Sequence, residues 1–303
     1  ANFGLLDLER YFQARGSRRL DYCTSQTDTL GSAGKEPAWS GLSAERVVEE
    51  VRDLARGHKL SEVSFRDEDF FHDARRLDAI AQSLLEGKGR VPWSGAGRVG
   101  SLQRLTDDQL GLLKASGCRR VGLGLEAGGP GAGEKGRGDV LEIAERLHRA
   151  GLGMRVWLLA GNPGERRERL REVYRTAKAI REIDGAFETP LYLHAPYPGI
   201  PGPGSEPEAP PAASTLEEWS QIDVESAPWP SKALSQRITR YNFYLDQAYR
   251  PPGRRWGKRL VHALARVRVR LGFFRLDLER RAVMWAAAAR TGRDRPRRPA
   301  AED

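Results

Sequence analysis

Cysteine is scarce in this chain, which has two, Cys23 and Cys118, among 303 residues. Two thiols cannot build the disulfide framework of a small secreted domain. They are also fewer than the three or four thiolates that normally hold an iron–sulfur cluster. The sequence therefore predicts a reducing, cytoplasmic setting and no [4Fe–4S] cluster held by these cysteines.

Long apolar runs and a secretory leader are also missing. No apolar stretch reaches the roughly 18–20 residues that a membrane span needs, and the first residues lack the cationic and apolar regions of a signal peptide. The composition, 39% hydrophobic and 30% charged, is that of a globular protein.

The charge is strongly positive, but its make-up argues against a nucleic-acid partner. The formal net charge is +9, yet only eight of the 50 basic residues are lysine. A GC-rich genome produces such an arginine bias without any anionic ligand, and no basic-aromatic motif of a known nucleic-acid module is present. We expect no binding to nucleic acid.

Six segments have the composition of strands, and each pair of neighbours is separated by room for a helix and two loops. They are Leu20–Ser25, Glu62–Phe65, Trp93–Arg98, Arg120–Glu126, Met154–Ala160 and Leu191–Ala195. Such spacing is typical of parallel crossover connections. It favours an α/β barrel or a doubly wound sheet.

Capping residues mark the helices between these strands. Ser43, Thr106 and Asp139 are predicted N-caps, the last two with a capping-box partner three residues later. Gly117 and Gly151 are predicted to end two of these helices. An apolar stripe at helical spacing indicates a further buried helix face; its members are Leu170, Val173, Ala177 and Ile180.

Composition also divides the chain. Seven prolines lie between positions 196 and 211, where neither a helix nor a central strand is expected. The predicted division is a lead-in helix at 1–19, a barrel at 20–200, a proline-rich linker at 201–214, a helical region at 215–292 and a disordered tail at 293–303.

Three acids, Asp67, Glu68 and Asp69, follow the second strand. In barrels, ligands bind at the carboxyl ends of the strands. The acids could hold a cationic ligand group or a metal ion. Alternatively they belong to a solvated loop in which Asp69 or Asp73 caps the next helix, and the sequence alone favours this second interpretation.

The fourth strand carries a GxGxxA pattern at Gly122–Ala127. A dinucleotide fingerprint requires a helix to begin immediately after it, and the glycine-rich run that follows Ala127 disfavours one. NAD or FAD is therefore not expected. Glu126 still ends a strand beside a loop whose backbone can approach a ligand closely.

The last two strands end in further polar candidates. Gly161–Glu165 forms a predicted turn and helix start whose backbone could contact an adenine edge. His194 lies at the end of the sixth strand and Tyr197 follows it, and His194 is the best placed of the five histidines for acid–base work. A lone histidine is more often a packing residue, and no histidine spacing indicates a metal site.

Six segments of the chain resemble motifs of radical S-adenosylmethionine (SAM) enzymes, especially of their cobalamin-associated branch, and they occur in the same order along the sequence. They are Arg18–Ser25, Asp67–Phe71, Trp93–Arg98, Gly117–Gly128, Gly161–Glu165 and Ala195–Gly199. The resemblance covers about residues 8–200. It implies a partial (β/α)6 TIM-like barrel, followed here by a C-terminal helical region.

The resemblance also implies a SAM site at the carboxyl ends of the strands. Asp67 and Asp69 would face the amino group of the methionine part, and Arg98 would pair with its carboxylate. The complete implied set is Tyr22, Asp67, Asp69, Arg98, Glu126, Gly161, Asn162, Gly164 and Glu165.

The chain departs from the family at its defining motif. The three-cysteine CxxxCxxC loop is missing, and Thr27–Lys35 stands where it belongs. No cobalamin-binding domain precedes the barrel in this chain. Without a cluster there is no electron donor to cleave SAM reductively, so radical chemistry is not expected.

Three hypotheses follow. In the first, the chain is a SAM-dependent transferase that uses polar chemistry on a small molecule, with Asp67, Glu68, His194 and Tyr197 as catalytic candidates. In the second, it is a non-catalytic scaffold or partner. In the third, the basic, apolar segment Arg259–Arg290 contacts a membrane surface.

Overall fold

The computed structural model describes residues 19–22, 25–28, 38–87, 91–126, 134–160, 167–193, 232–252, 254, 256–274 and 276–291. The chain divides into two compact units, Ala1–Ala209 and Pro210–Asp303. Tyr22 and Glu126 are described by their backbone alone. His194, Tyr197 and the Gly161–Glu165 turn lie outside the described residues, as do the predicted linker and tail.

The described part of the first unit contains eight strands. They are β1 (Arg19–Tyr22), β2 (Ser25–Asp28), β3 (Ala38–Gly41), β4 (Glu62–Phe65), β5 (Trp93–Gly97), β6 (Cys118–Glu126), β7 (Gly153–Ala160) and β8 (Leu191–Leu193). Six form one parallel sheet in the order β1-β4-β5-β6-β7-β8. This order follows the chain without the reversal of a doubly wound sheet. The α/β prediction is confirmed, and the topology is that of a partial barrel.

Helices connect the strands of the sheet. They are α1 (Ala44–His58), α2 (Ala74–Glu86), α3 (Val99–Arg104), α4 (Asp107–Ala115), α5 (Glu134–Arg149) and α6 (Arg167–Ile183). Ser43 accepts a hydrogen bond from Arg46 N at the start of α1, and Thr106 and Gln109 form a complete capping box at the start of α4. Gly117 and Gly151 follow α4 and α5 at φ values of +101° and +66°, which favour glycine.

One predicted helix start is wrong. Asp139 lies within α5, whose described residues begin at Glu134. It therefore cannot be an N-cap, because that position lies outside the helix that it caps. The Asp139–Glu142 spacing matched the capping box by coincidence.

A second, small sheet was not predicted from the sequence. β2 begins two residues after β1 ends and pairs antiparallel with β3, with Ser25 opposite Gly41 and Asp28 opposite Ala38. Trp39 of β3 stacks on His72, with 5.1 Å between ring centroids. The next described residues after β1, Ser25–Asp28, thus form one strand of an antiparallel pair.

Side chains alternate between the two faces of the main sheet. Along β7, Met154, Val156, Leu158 and Ala160 are buried, whereas the residues between them are partly exposed. The predicted stripe of α6 is buried throughout, at Leu170, Val173, Ala177 and Ile180. The described helices therefore pack on the face of the sheet that carries these buried residues. The other face carries the partly exposed residues.

In the second unit, the structure describes three helices: α7 (Lys232–Tyr249), α8 (Trp256–Leu271) and α9 (Leu278–Thr291). The segment Arg259–Arg290 is therefore two helices, with Gly272 and Leu276 at positive φ between them. No described helix combines the length and the apolar character needed to cross a membrane.

Candidate functional site

The loop after β4 is held in place by one buried carboxylate. Asp69 is 2% exposed. Its Oδ1 accepts a hydrogen bond from Arg98 N (3.2 Å), and its Oδ2 accepts one from Ser101 Oγ (2.6 Å). Because Arg98 is the N-cap of α3 and Ser101 lies in its first turn, Asp69 joins the loop after β4 to the helix after β5.

Asp73 caps the next helix, as one interpretation of this loop predicted. Its Oδ1 accepts hydrogen bonds from Arg75 N and Arg76 N at the start of α2. Asp69 instead serves α3. Asp67 is as buried as Asp69, at 2% exposure.

Glu68 and Arg98 form an exposed pair at the carboxyl ends of β4 and β5. Arg98 NH2 lies 3.7 Å from Glu68 Oε2, and their side chains are 55% and 57% exposed. A pair this long and this exposed contributes little to stability. Both charges are therefore available to a ligand that carries the opposite ones.

The glycines of β5 allow the loop to lie against the sheet. Phe70 N donates to Ala96 O (2.9 Å). A Cβ on Gly95 would lie 3.1 Å from Phe70, and one on Gly97 would lie 2.7 Å from Phe71 and 2.8 Å from Asp69 Oδ1. Close packing therefore requires glycine at Gly97, whereas a side chain at Gly95 would need Phe70 to shift by a few tenths of an ångström.

The face of the sheet away from the helices carries polar and aromatic residues. We call it the open face and define it by Ser94, Ala96, Arg120, Gly122, Gly124, Arg155, Trp157, Leu159 and Tyr192, which occupy matching register positions. Its amino-terminal half is filled by charge: Glu188 lies 2.8 Å from Arg120 NH1 and 3.3 Å from Arg155 NH1.

Trp157 forms the floor of the carboxyl-terminal half of the open face. A Cβ on Gly122 would lie 2.6 Å from Trp157 Cη2, so the indole lies across that glycine. The Arg155 guanidinium lies 5.6 Å from the indole centroid, within cation–π range. A Cβ on Gly124, two residues further along β6, would meet nothing within 4 Å. Within the described residues, the space above Gly124 is open.

Residues at the carboxyl ends of the last three strands border this space. Glu126, Leu159 and Tyr192 are register partners across β6, β7 and β8. Tyr192 is 40% exposed, and Leu159 is partly exposed. At β1, Tyr22 pairs in register with Phe65.

Gly122 and Gly124 lie within β6 and pair with both neighbouring strands. A dinucleotide fingerprint needs its glycines in the turn between a strand and a helix. The GxGxxA pattern is therefore a strand pattern here, as the sequence analysis favoured.

Several residues of this region were not singled out from the sequence. Arg155 and Trp157 alternate with the core residues of β7, and that alternation was a usable signal. His72 is exposed, and its Nδ1 lies 3.6 Å from Asp69 Oδ2. Glu188 gave no local signal, because it lies outside the strands and reaches Arg120 68 positions away.

Cys118 lies at the opposite end of the sheet, at the amino-terminal start of β6. It is free and 2% exposed, and burial raises the pKa of its thiol to about 12. A thiol that stays protonated is a poor metal ligand. Within the described residues, no three His, Cys, Asp or Glu side chains are grouped as a metal site.

The first unit is thus a parallel α/β half-barrel with a polar loop at its strand ends and an open face beside it. No model of a known protein family matches the chain. An uncharacterized methyltransferase of Pyrococcus horikoshii, PH0819, is 28% identical over 169 residues, which cover 53% of this chain and 35% of that protein. The chain therefore matches about a third of the length of this curated relative.

Solved structures with a similar fold include two of TsrM, a radical SAM methyltransferase of Kitasatospora setae. One has cobalamin and a [4Fe–4S] cluster bound (TM-score 0.47, 18% identity, 60% of this chain and 38% of that one). The other has tryptophan and a SAM analogue bound (TM-score 0.48, 19% identity, 61% and 37%). The cobalamin-dependent SAM radical enzyme OxsB aligns with a TM-score of 0.45 and 18% identity, over 59% of this chain and 28% of that one.

Proposed function

We propose that the chain binds SAM at the carboxyl ends of its strands and transfers the methyl group by polar chemistry to a small molecule on the open face. The observation that carries the proposal is the open space above Gly124, which Trp157 floors and the ends of β6, β7 and β8 border. The curated relative is named as a methyltransferase.

The exposed charges at the strand ends suit the amino-acid part of SAM. Its carboxylate is anionic and its ammonium is cationic, and Arg98 and Glu68 offer the two opposite charges on flexible, exposed side chains. Asp69 was predicted to contact the amino group of SAM directly, but we propose an indirect role for it. Its oxygens already accept from Arg98 N and Ser101, so it would hold the Arg98 backbone in position.

Cysteine placement supports non-radical chemistry. Of the two cysteines, Cys118 lies at the amino-terminal end of the sheet and carries a raised pKa. Only Cys23 follows β1, where a cluster loop would begin, and a hairpin strand starts at Ser25. A cluster needs three or four thiolates at one place.

In polar methyl transfer, SAM supplies an electrophilic methyl carbon. A lone pair of the acceptor forms the new bond to that carbon as the carbon–sulfur bond breaks, and the electron pair remains on sulfur as a thioether. The protein's part is to align the two reactants and to take the acceptor's proton. Asp67, Glu68, His194 and Tyr197 remain the candidates for that base.

Calorimetric titration with SAM tests the proposal, with a matched pair of glycine variants. Gly124→Leu places a side chain in the open space, and we expect it to weaken SAM or acceptor binding at least tenfold. Gly138→Leu adds the same side chain on α5, where a Cβ meets nothing within 4 Å, and should leave binding unchanged.

The absence of binding heat and of a thermal shift for the parent chain at millimolar SAM would reject the proposal and favour the scaffold hypothesis. After anaerobic reconstitution with iron and sulfide, the visible spectrum should show no cluster absorbance. A stable brown cluster would reject the non-radical part.

A further inference from the structure

The second unit exposes an apolar stripe that its own helices do not cover. On α8, large apolar residues recur at intervals of three or four, which places them on one side of the helix. They are Trp256, Leu260, Leu264, Val267 and Leu271, with exposures of 80%, 51%, 39%, 54% and 72%. The opposite side of α8 is buried at Ala265 and Val269 and faces α7. The stripe is therefore not the core side of the helix.

Further apolar residues are exposed beyond α8. Phe273 is 47% exposed and Leu276 is 76% exposed. On α9, Leu278, Met284 and Trp285 are 69%, 52% and 76% exposed. Single exposed apolar residues are ordinary, but the five on one side of α8 form a continuous strip, which marks a surface that contacts another phase or molecule.

Arginines run along one edge of the stripe. At 100° per residue, Arg259, Arg266 and Arg270 fall on adjoining positions of α8, next to the apolar side. All three are exposed. The helix has no Asp or Glu over its whole length, Trp256–Leu271.

The two acids of the neighbouring segment are neutralised within the unit. Asp277 is 2% exposed and is paired with Arg240, Arg280 and Arg281. Glu279 pairs with Arg268 and accepts a hydrogen bond from Tyr244 Oη (3.2 Å). The charge presented to the outside by α8 is therefore almost purely positive.

We propose that α8 docks on an anionic lipid bilayer surface, with its apolar stripe in the headgroup region and Arg259, Arg266 and Arg270 on the lipid phosphates. Charge complementarity favours an anionic lipid surface, because a purely apolar partner would not account for the arginines along the edge of the stripe. Exposed tryptophans suit a membrane–water interface, where an amphipathic ring is favoured. Apolar area and arginines then contribute together to binding.

Vesicle co-sedimentation of the full chain tests this. Vesicles of equimolar phosphatidylcholine and phosphatidylglycerol should bind it, and vesicles of phosphatidylcholine alone should bind at least tenfold more weakly. Arg259→Gln/Arg266→Gln/Arg270→Gln should lower partition into anionic vesicles by about 100-fold, since each arginine near such a surface contributes separately. High salt should weaken binding of the parent chain.

A second variant addresses the stripe. Leu260→Gln/Val267→Gln/Leu271→Gln changes side chains that are more than half exposed, so its helicity should equal that of the parent while its binding is lost. The matched control is Arg75→Gln/Arg171→Gln/Arg175→Gln, which removes the same charge from exposed positions of the first unit and should bind as the parent does.

Three outcomes overturn the proposal. They are equal binding to neutral vesicles, equal weakening by the control variant, and no vesicle binding by a helical parent chain. In the last case, a concentration-dependent dimer that the leucine–valine variant abolishes would identify a second copy of this chain as the occupant. SAM titration is independent of all three.

Discussion

Ser101 of α3 and Asp69 of the loop after β4 share a 2.6 Å hydrogen bond across 32 positions of sequence. The same carboxylate accepts from the backbone of Arg98. Two strand ends are thus tied together by one buried side chain. The position of Glu68, in the loop after β4, relative to Arg98, at the end of β5, depends on that tie.

Removing this carboxylate should destabilise the first unit. Asp69→Ala leaves Arg98 N and the Ser101 hydroxyl without their acceptor, and we expect a loss of about 1–3 kcal/mol in the free energy of unfolding. Urea unfolding measures it. The control Glu68→Gln alters an exposed neighbour and should change stability by less than about 0.5 kcal/mol. Equal effects of the two variants would contradict the anchoring role.

Gly97 should not tolerate a methyl group. In Gly97→Ala the added Cβ would lie 2.7 Å from Phe71 and 2.8 Å from Asp69 Oδ1, so the loop must shift, at a cost of about 1–3 kcal/mol. In α1, Gly57→Ala adds the same group where nothing lies within 4 Å. That control should be neutral or stabilising by up to about 1 kcal/mol, as measured by the same unfolding curves.

Cys118 should resist alkylation in the folded chain. Burial raises the pKa of its thiol to about 12, so the reactive thiolate is almost absent at pH 8. In a Cys23→Ser background, mass spectrometry after iodoacetamide treatment at pH 8 should show no adduct without denaturant and one adduct in guanidinium. Rapid labelling of the native chain would show that this end of β6 opens readily.

Asp277 should make the second unit sensitive to acid. Burial alone would raise the pKa of this carboxyl, but a hydrogen bond from Arg280 and the charges of Arg280 and Arg240 outweigh it, so the pKa is lowered. A lowered pKa stabilises the folded state fully above the unfolded value of about 3.9. That contribution is lost as the pH falls through the lower, folded pKa.

Thermal unfolding from neutral pH downward tests this. Asp277→Asn should be less stable than the parent at pH 7, and the gap should narrow below about pH 4 as the parent's carboxyl takes up its proton. Asp246→Asn is the control, because Asp246 is 50% exposed and, in the described contacts, its carboxylate pairs only with Arg250, four residues along the chain. The difference in thermal stability between this control and the parent should stay small at every pH.

Local signals predicted the framework well. The strands of the main sheet, the Ser43 and Thr106 caps and the buried stripe of α6 all follow from the spacing of apolar and capping residues. Such features depend on neighbours within a few positions. The predicted bounds of β4 match the structure, whereas β5, β6 and β7 each differ by one or two residues at one end, where competing turn geometry decides.

The remaining features depend on contacts that no local pattern encodes. The β2–β3 hairpin pairs two short segments that lack clear alternation. The hydrogen-bond donors to Asp69 could be assigned to α3 only once β4 and β5 were known to be neighbours. Likewise, Glu188 meets Arg120 and Arg155 only because β6, β7 and the approach to β8 lie side by side.

The alternation along β7 places residues of the open face and residues of the core at different positions of the strand. Substitutions at Arg155, Trp157 or Leu159 alter what the open face can hold, while Val156 and Leu158 keep the sheet bound to its helices. Under the proposed function, acceptor specificity and folding thus rest on interleaved but separate sets of positions. Every second residue of this strand would then be the place to vary in search of new acceptors, while the positions between them keep the scaffold intact.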